Sequence, residues 1–272
     1  MTRSYSLCNP VDAPGRYVLG VLRDRGSRGG SRYVHEQLRV GQAVAISPPR
    51  NNFKLRSGDA KSVLVAGGIG ITPIWSMLQQ LVAQGREVEL VYCARSRGEA
   101  AFAQDIEALA DRARITWHFD DEAGGPPDLR ALLGGRGKDS HYYCCGPAPM
   151  LDSFEGACRS LDCPNAYIER FAAAPLEPAQ STGAFDVVCS KSGKTVGVAP
   201  GQSVLDALLQ AGLALPHSCK EGICGSCETA VLDCGGGIEH LDGILSPRER
   251  ESGQTMMICV SRCKGSRIVL DI

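Results

Sequence analysis

The sequence predicts a multidomain protein, with a doubly wound α/β domain in the middle of the chain and a smaller α+β domain in its C-terminal third. Short apolar runs alternate with helical patterns from residue 62 to residue 171, which is typical of a parallel sheet covered by helices. Beyond residue 182 the pattern changes to a hairpin, one short helix and a cysteine-rich loop. The 272 residues are enough for two or three domains.

Charge, hydropathy and cysteine content argue against a nucleic-acid-binding, membrane-spanning or exported protein. The 29 basic and 30 acidic residues leave a net charge of -1, so charge gives no reason to expect a nucleic-acid or membrane partner. No apolar run reaches about 18 residues, and the first ten residues lack the apolar core of an export signal. We therefore expect a cytoplasmic monomer. The thirteen cysteines are an odd number, which argues against a disulfide framework and for thiols clustered as metal ligands.

We predict four segments along the chain. Residues 1–58 hold two β-like runs, 17–24 and 43–47, which are too little to close a barrel. Residues 59–172 form the α/β domain. Residues 173–182 are small, Pro-containing and aperiodic, and so form a linker; residues 183–272 form the C-terminal domain.

Local signals fix several elements. In the α/β domain, "SVLVAGG" is a strand with a Gly-rich turn, and a helix begins at Pro73 and stops at Gly85. The strands "VELVYCAR", "ITWHFDD", "HYYCCGP" and "AYIERF" follow, with helices "AFAQDIEALADR", "LRALLGG" and "MLDSFEGACRSL" between them. In the C-terminal domain "FDVVCSKSGKTVGVA" is a hairpin. The next helix has Ser203 as N-cap, with Asp206 three residues on, and ends at Gly212.

Three cysteines of the C-terminal domain have a diagnostic spacing. Cys219, Cys224 and Cys227 form C-x4-C-x2-C, the spacing of the plant-type [2Fe–2S] loop, which a distant cysteine completes. Gly222 and Gly225 allow the backbone to wrap tightly, so that N–H groups can point at the sulfur atoms. The spacing therefore predicts a [2Fe–2S] cluster.

The fourth ligand has three candidates. Cys234 would complete a zinc site, but the strand-like "ETAVLD" puts it about 23 Å from Cys227 at roughly 3.3 Å per residue, whereas zinc ligands lie within about 2.3 Å of the metal. Cys259 follows an apolar run and should be buried beside the core. Cys263 lies among polar residues, which favours a surface turn. Cys259 is the predicted ligand, with Cys263, zinc or no metal as alternatives.

Three turns at the carboxyl ends of predicted strands suggest a nucleotide site. "AGGIGITP" follows a strand and opens a helix, and a diphosphate can rest on its N–H groups; the alternative is tight packing alone. "YCARS" and "CCGPAPM" end two further strands at the same edge. Arg95 could meet a phosphate or ribose, or be solvated. The candidate nucleotide residues are Gly67, Gly68, Gly70, Thr72, Pro73, Arg95, Cys145, Gly146 and Pro147. No residue is assigned a catalytic acid–base or nucleophilic role.

Together these motifs resemble the flavin-containing reductases of two-component Rieske oxygenases, the phthalate dioxygenase reductase and vanillate O-demethylase reductase group. The resemblance covers essentially all 272 residues and implies a flavin β-barrel, a pyridine-nucleotide domain and a C-terminal plant-type ferredoxin domain. "RSYS" resembles the family's flavin motif, "RGGS" its second phosphate-binding turn, "YIERF" the end of its nucleotide domain and "CVSR" the stretch around the fourth cluster cysteine. The residues that the resemblance assigns to FMN are Arg3, Ser4, Tyr5, Ser6, Gly29, Gly30, Ser31 and Phe171.

The resemblance also implies a function. Electrons would pass from NAD(P)H, with NADH favoured, through FMN and the [2Fe–2S] cluster to a separate terminal oxygenase of the Rieske type. The alternatives are an electron-carrier module without flavin and a stand-alone reductase of a small molecule. In the family roughly fifty residues precede R-x-Y-S, whereas here the motif starts at the third residue. We therefore expect only part of the barrel, and weak or absent retention of FMN.

Overall fold

The computed structural model describes residues 2–10, 15–27, 29–58, 60–172 and 183–272. They divide into two compact units. The larger unit is Tyr5–Phe171, and the smaller one joins Met1–Ser4 to Ala172–Ile272. The predicted linker, 173–182, lies outside the described residues.

The larger unit is built on a five-stranded parallel sheet of order β3-β2-β1-β4-β5. Alternate residues of β1 enter two separate core clusters, Leu64 and Ala66 one cluster and Val63 and Val65 the other. Both faces of the sheet are therefore buried, which confirms the doubly wound prediction. The strands are β1 (Ser62–Gly67), β2 (Val88–Ala94), β3 (Arg114–Phe119), β4 (His141–Cys145) and β5 (Ala166–Glu169).

The helices of this unit follow the predicted order, with some different ends. The helix after β1 begins at Ile71, two residues before Pro73, and the helix after β2 is shorter than predicted. Asp120, placed at the end of a strand by the sequence, instead opens a short helix. The helices are α1 (Gly30–Glu36), α2 (Ile71–Ala83), α3 (Ala103–Glu107), α4 (Asp120–Ala123), α5 (Leu129–Leu133) and α6 (Ala148–Ser160).

The two strands predicted in the first segment do not form. Among the described residues of 2–58, the regular structure consists of α1 and an isolated antiparallel bridge between Leu7 and Leu19. Val44 and Ile46 are exposed, at 57% and 66%. A β-like run becomes a strand only when another strand hydrogen-bonds to it, and 43–47 has no such partner among the described residues.

The smaller unit contains a five-stranded mixed sheet of order β10-β8-β12-β6-β7 and a two-stranded sheet of β9 and β11. The predicted hairpin forms from β6 and β7, and Ser203 caps α7 by accepting a hydrogen bond from Asp206 N–H. Both predictions are confirmed. The elements are β6 (Phe185–Cys189), β7 (Thr195–Val198), α7 (Val204–Gln210), β8 (Glu228–Cys234), β9 (Ile238–Glu239), α8 (Pro247–Ser252), β10 (Thr255–Met257), β11 (Arg262–Cys263) and β12 (Arg267–Leu270).

Two further properties bear on function. In the part of the chain that the structure describes, no helix has the length and apolar character needed to cross a membrane. All thirteen cysteines lie in that part, and they are free thiols.

Candidate functional site

The loop between α7 and β8 carries three of the predicted cluster cysteines. Gly222 and Gly225 have φ angles of +72° and +68°, which side chains rarely adopt. A Cβ on Gly222 would lie 2.7 Å from a methyl carbon of Val260 and 3.0 Å from the Cα of Asp242. The prediction that glycines let this backbone wrap tightly is confirmed, and the contact with Val260 brings the loop against the stretch that holds Cys259.

The four predicted ligands lie in two pairs. Cys219 shares a side-chain hydrogen bond with Cys224, and Cys227 shares one with Cys259. Longer-range interactions join the pairs, between Cys224 and Cys227 and between Cys219 and Cys259. Cys259, the predicted fourth ligand, is thus placed against Cys227 by the end of β10.

Backbone N–H groups point at these sulfur atoms. Glu221 N–H donates to Cys219 Sγ at 3.3 Å. The hydrogen bond from Cys219, helped by donors of Ser226, lowers the pKa of the Cys224 thiol to about 4. The hydrogen bond from Cys259 likewise lowers the pKa of Cys227. The same hydrogen bonds raise the pKa of the partner thiols, Cys219 and Cys259, and all four thiols must lose their protons to bind a metal.

This donor set fits a binuclear iron–sulfur cluster. A [2Fe–2S] cluster takes four thiolates, two on each iron, and so suits two pairs of thiols. Cys219, Cys224, Cys227 and Cys259 are therefore the residues that would hold it.

The two rival cysteines lie elsewhere in the smaller unit. Cys234 ends β8, and its sulfur atom contacts Cys263, 3.3 Å away. The sequence favours a surface turn for Cys263, which is wrong: this residue lies in β11 and is 2% exposed. Its polar neighbour Arg262 is also buried, and its guanidinium is satisfied by hydrogen bonds that it donates to the backbone carbonyls of Gln202 and Gly183.

A buried carboxylate supports the cluster loop from behind. Asp242 is 4% exposed and accepts hydrogen bonds from the N–H groups of Ile244 and Leu245. Its other oxygen accepts a hydrogen bond from the Ser261 hydroxyl, two residues after Cys259. Arg250 contacts both the carboxylate and the backbone carbonyl of Asp242. Because Gly243 N–H donates to the Gly222 carbonyl at 3.1 Å, this network connects the loop to the segment that follows Cys259.

In the larger unit, the glycines of the predicted nucleotide turn differ in role. A Cβ on Gly70 would lie 2.2 Å from the Cys145 carbonyl oxygen, and one on Gly67 would lie 2.4 Å from Met150 Sδ. These two glycines therefore allow the turn after β1 to pack against the turn after β4. Gly68 has a φ angle of +52° and open space where its side chain would be, so a ligand could approach its backbone on that side.

The remaining predicted nucleotide residues lie at the same edge of the sheet. Thr72 is buried and donates to the Ile69 carbonyl at 3.0 Å, which makes it part of the helix start. Arg95 follows β2 and is exposed. Cys145 is fully buried at the end of β4, and Gly146 and Pro147, which follow it, are half-buried and exposed. Pro73 is buried within α2.

Glu169 is a further candidate residue at this edge, which the sequence did not single out. It pairs in register with Cys145 at the carboxyl end of β5, and its Oε2 accepts a hydrogen bond from Ser6 at 3.4 Å. Burial raises the pKa of Glu169 to about 7. Burial, reinforced by the Glu169 charge, also raises the pKa of the Cys145 thiol. The quoted segment "YIERF" contains this carboxylate, and its position at the carboxyl end of a predicted strand was the available signal.

The residues assigned to FMN fall in both units. Arg3 and Ser4 belong to the smaller unit, where the Ser4 hydroxyl is 3.3 Å from that of Ser218. In the larger unit Tyr5 is half-buried and Phe171 is 44% exposed. Of the "RGGS" segment, Arg28 lies outside the described residues, and Gly29 has a φ angle of +95°. Gly30 is buried, and the Ser31 hydroxyl donates a hydrogen bond to the Ser27 hydroxyl.

The fold and the thiol arrangement define an oxidoreductase that combines a nucleotide-binding domain with an iron–sulfur domain. Residues 64–155 match the family of oxidoreductase NAD-binding domains, and residues 187–264 match the family of 2Fe-2S iron–sulfur cluster binding domains. The chain belongs to the phthalate dioxygenase reductase family of oxygenase-system reductases. This confirms the resemblance seen in the sequence.

Three relatives define the similarity. The phenoxybenzoate dioxygenase subunit beta of Ectopseudomonas oleovorans is 44% identical, over 100% of this chain and 83% of that protein. The tetrachlorobenzoquinone reductase of Sphingobium chlorophenolicum is 47% identical, over 99% and 84%. The solved structure of phthalate dioxygenase reductase, described as modular for electron transfer from pyridine nucleotides to [2Fe–2S], is 35% identical with a TM-score of 0.65, over 99% of this chain and 83% of that one.

Replacing Asp242 should weaken the cluster loop. Asp242→Asn removes the charge that Arg250 and two N–H groups face, so we expect the smaller unit to lose about 2 kcal/mol in free energy of unfolding and to release bound iron several-fold faster to a chelator. Asp271→Asn is the control, since its partner Lys191 is solvent-exposed and the pair contributes little. Equal iron release from the two variants would contradict the role given to Asp242.

Replacing Glu169 should change how stability depends on pH. A carboxyl with a pKa of about 7 in the folded state stays protonated after the unfolded chain has ionised, so stability falls as pH rises from about 4.5 to 7, by at most about 3 kcal/mol. In Glu169→Gln this fall should disappear. Thermal melts from pH 4.5 to 8 measure it, with the exposed Glu99→Gln as control. A variant that follows the wild-type profile would show that Glu169 ionises normally.

Proposed function

We propose that this protein is an NAD(P)H-dependent reductase that passes electrons through FMN to its [2Fe–2S] cluster and on to a Rieske-type terminal oxygenase. The observation that carries the proposal is the arrangement of Cys219, Cys224, Cys227 and Cys259 as two thiol pairs, in a chain that also holds an NAD-binding domain. The domain boundaries predicted from the sequence are part of the proposal: residues 1–58 for a partial flavin domain, 59–172 for the NAD(P) domain, 173–182 for the linker and 183–272 for the ferredoxin domain.

The cluster cysteines have separate tasks in holding iron. Cys219 and Cys224 would bind one iron, and Cys227 and Cys259 the other. The N–H groups of the loop stabilise negative charge on the sulfur atoms, and Asp242 with Arg250 keeps the loop in place. None of these residues has to gain or lose a proton after metal binding.

The carboxyl edge of the large sheet would bind the nucleotide. The half-buried backbone at Gly68 and the turn at Gly146 and Pro147 would face the diphosphate and the nicotinamide, and Arg95 would meet a phosphate or ribose. Gly67, Gly70, Thr72 and Pro73 would act indirectly, by holding that edge together. The fully buried Cys145, whose pKa is raised by burial, would stay a neutral thiol beside the nicotinamide.

A bound flavin would accept two electrons at once from the nicotinamide and release them singly to an iron–sulfur cluster. Ser6 and Glu169 fit such a group, since a hydroxyl and a carboxyl that is half protonated near pH 7 can exchange a proton at its polar edge. Arg3, Ser4, Tyr5, Gly29, Gly30, Ser31 and Phe171 are the further residues that we assign to FMN.

The relatives support an oxygenase as partner, since one of them is named as a subunit of a dioxygenase. That the partner is of the Rieske type, that this chain is a monomer, and that NADH is preferred are parts of the proposal. A cytoplasmic location is also proposed; it is supported by thirteen cysteines that are all free, because thiols persist in a reducing compartment.

A direct reductase of a small molecule is the second candidate. It is favoured by the 47% identity to a tetrachlorobenzoquinone reductase, whose name denotes a quinone as acceptor. NADH-dependent quinone reduction without any partner protein would favour this candidate over the first.

Cytochrome c reduction tests the electron path. With NADH and added FMN, Cys259→Ser should reduce cytochrome c at least tenfold more slowly than wild type, while NADH still reduces the added FMN. Cys234→Ser, the same substitution at a half-buried position in the same unit, should retain wild-type activity. An intact cluster spectrum in Cys259→Ser would show that another residue is the fourth ligand.

A further inference from the structure

Two cysteines outside the cluster pairs lie sulfur to sulfur in the smaller unit. The Sγ atoms of Cys234 and Cys263 are 3.3 Å apart, although 29 positions separate the residues in the chain. This distance is about 1.3 Å longer than a disulfide bond. We propose that Cys234 and Cys263 form a reversible disulfide, a modification site separate from the four cluster thiols.

The backbone around the pair is already held in place. Lys264 N–H donates to the Gly237 carbonyl at 2.9 Å, and Gly237 N–H donates to the Cys234 carbonyl at 3.2 Å. The two turns approach so closely that a Cβ on Gly265 would lie 1.6 Å from the Gly235 carbonyl oxygen. These contacts hold the two turns against each other, and the close packing of the glycine turns keeps the thiols together in the reduced protein.

The two thiols differ in access. Cys234 is half-buried and open to a small oxidant, whereas Cys263 is 2% exposed and contacts the Arg267 carbonyl oxygen at 3.3 Å. Cys234 therefore reacts first and Cys263 displaces the leaving group. Burial and the contact with Cys263 raise the pKa of Cys234 to about 12, so its thiolate is scarce and the reaction is slow at neutral pH.

The oxidant is a peroxide or a small disulfide. With oxidised glutathione, each protein thiol loses one proton and one electron as the sulfur–sulfur bond forms. The glutathione disulfide takes both electrons and both protons and becomes two reduced glutathione molecules. A reductant such as dithiothreitol reverses the reaction.

The bond would stabilise the part of the chain that completes the cluster site. The closed loop runs from residue 234 to residue 263 and contains Asp242, Arg250 and Cys259. Cross-linking these ends restricts the unfolded chain, which is how a disulfide of this loop length stabilises a domain. We expect oxidation to raise the melting temperature of the smaller unit by several degrees.

Peptide mapping of the cluster-loaded protein tests the site. The protein is incubated with oxidised glutathione while cluster absorbance is followed, then denatured, alkylated and digested with trypsin without reduction. The expected product joins peptide 221–248, through Cys234, to peptide 263–264, with Cys224 and Cys227 alkylated. A mixed disulfide of Cys234 with glutathione, free thiols at both positions, or a bond to Cys224 or Cys227 would overturn the proposal.

Single variants supply the matched controls. Cys234→Ser and Cys263→Ser each lack one partner, so neither should show the cross-linked peptide or the rise in melting temperature. Because the wild-type map alone decides whether the bond forms, the proposal stays testable even if the buried Cys263→Ser variant fails to fold. A rise in melting temperature that persists in Cys234→Ser would assign the stabilisation to another effect.

Discussion

The structure of the smaller unit depends on bringing four sulfur atoms together as two pairs. Three of them lie on a loop of nine residues whose backbone has positive φ at Gly222 and Gly225. The fourth, Cys259, follows β10, which pairs with β8, the strand that leaves the loop. Negative charge on these sulfur atoms requires N–H donors and a fixed loop, and the buried Asp242 network connects the loop to the segment after Cys259.

In the larger unit, too, glycines are required where two stretches of backbone pack closely together. Gly67 and Gly70 have no side chain because the neighbouring turn passes within contact distance of their backbones. That packing places the ends of β1, β4 and β5 side by side, so Gly68, Cys145 and Glu169 share one edge of the sheet. At this edge the backbone of Gly68 has open space beside it, and burial raises the pKa of the Glu169 carboxyl. Both features suit a site where a nucleotide binds next to a redox group.

Features that depend on residues close together in the chain could be predicted from the sequence. The C-x4-C-x2-C spacing, the Ser203 cap, the β6–β7 hairpin and the buried strands all depend on neighbours in the chain, and the structure contains each of them. The strands expected at 17–24 and 43–47 depend on distant pairing partners, which a run of β-branched residues does not reveal. The burial of Cys263, its contact with Cys234, and the Glu169–Ser6 hydrogen bond likewise join residues far apart in sequence.

The two thiol pairs should hold a two-iron cluster that NADH can reduce. Iron and acid-labile sulfide analysis of the anaerobically isolated protein, combined with low-temperature electron paramagnetic resonance after addition of NADH and FMN, tests it most directly. We expect two iron and two sulfide per chain and the signal of a one-electron-reduced [2Fe–2S] cluster. A single zinc ion per chain, or a two-iron cluster that NADH leaves oxidised, would contradict it.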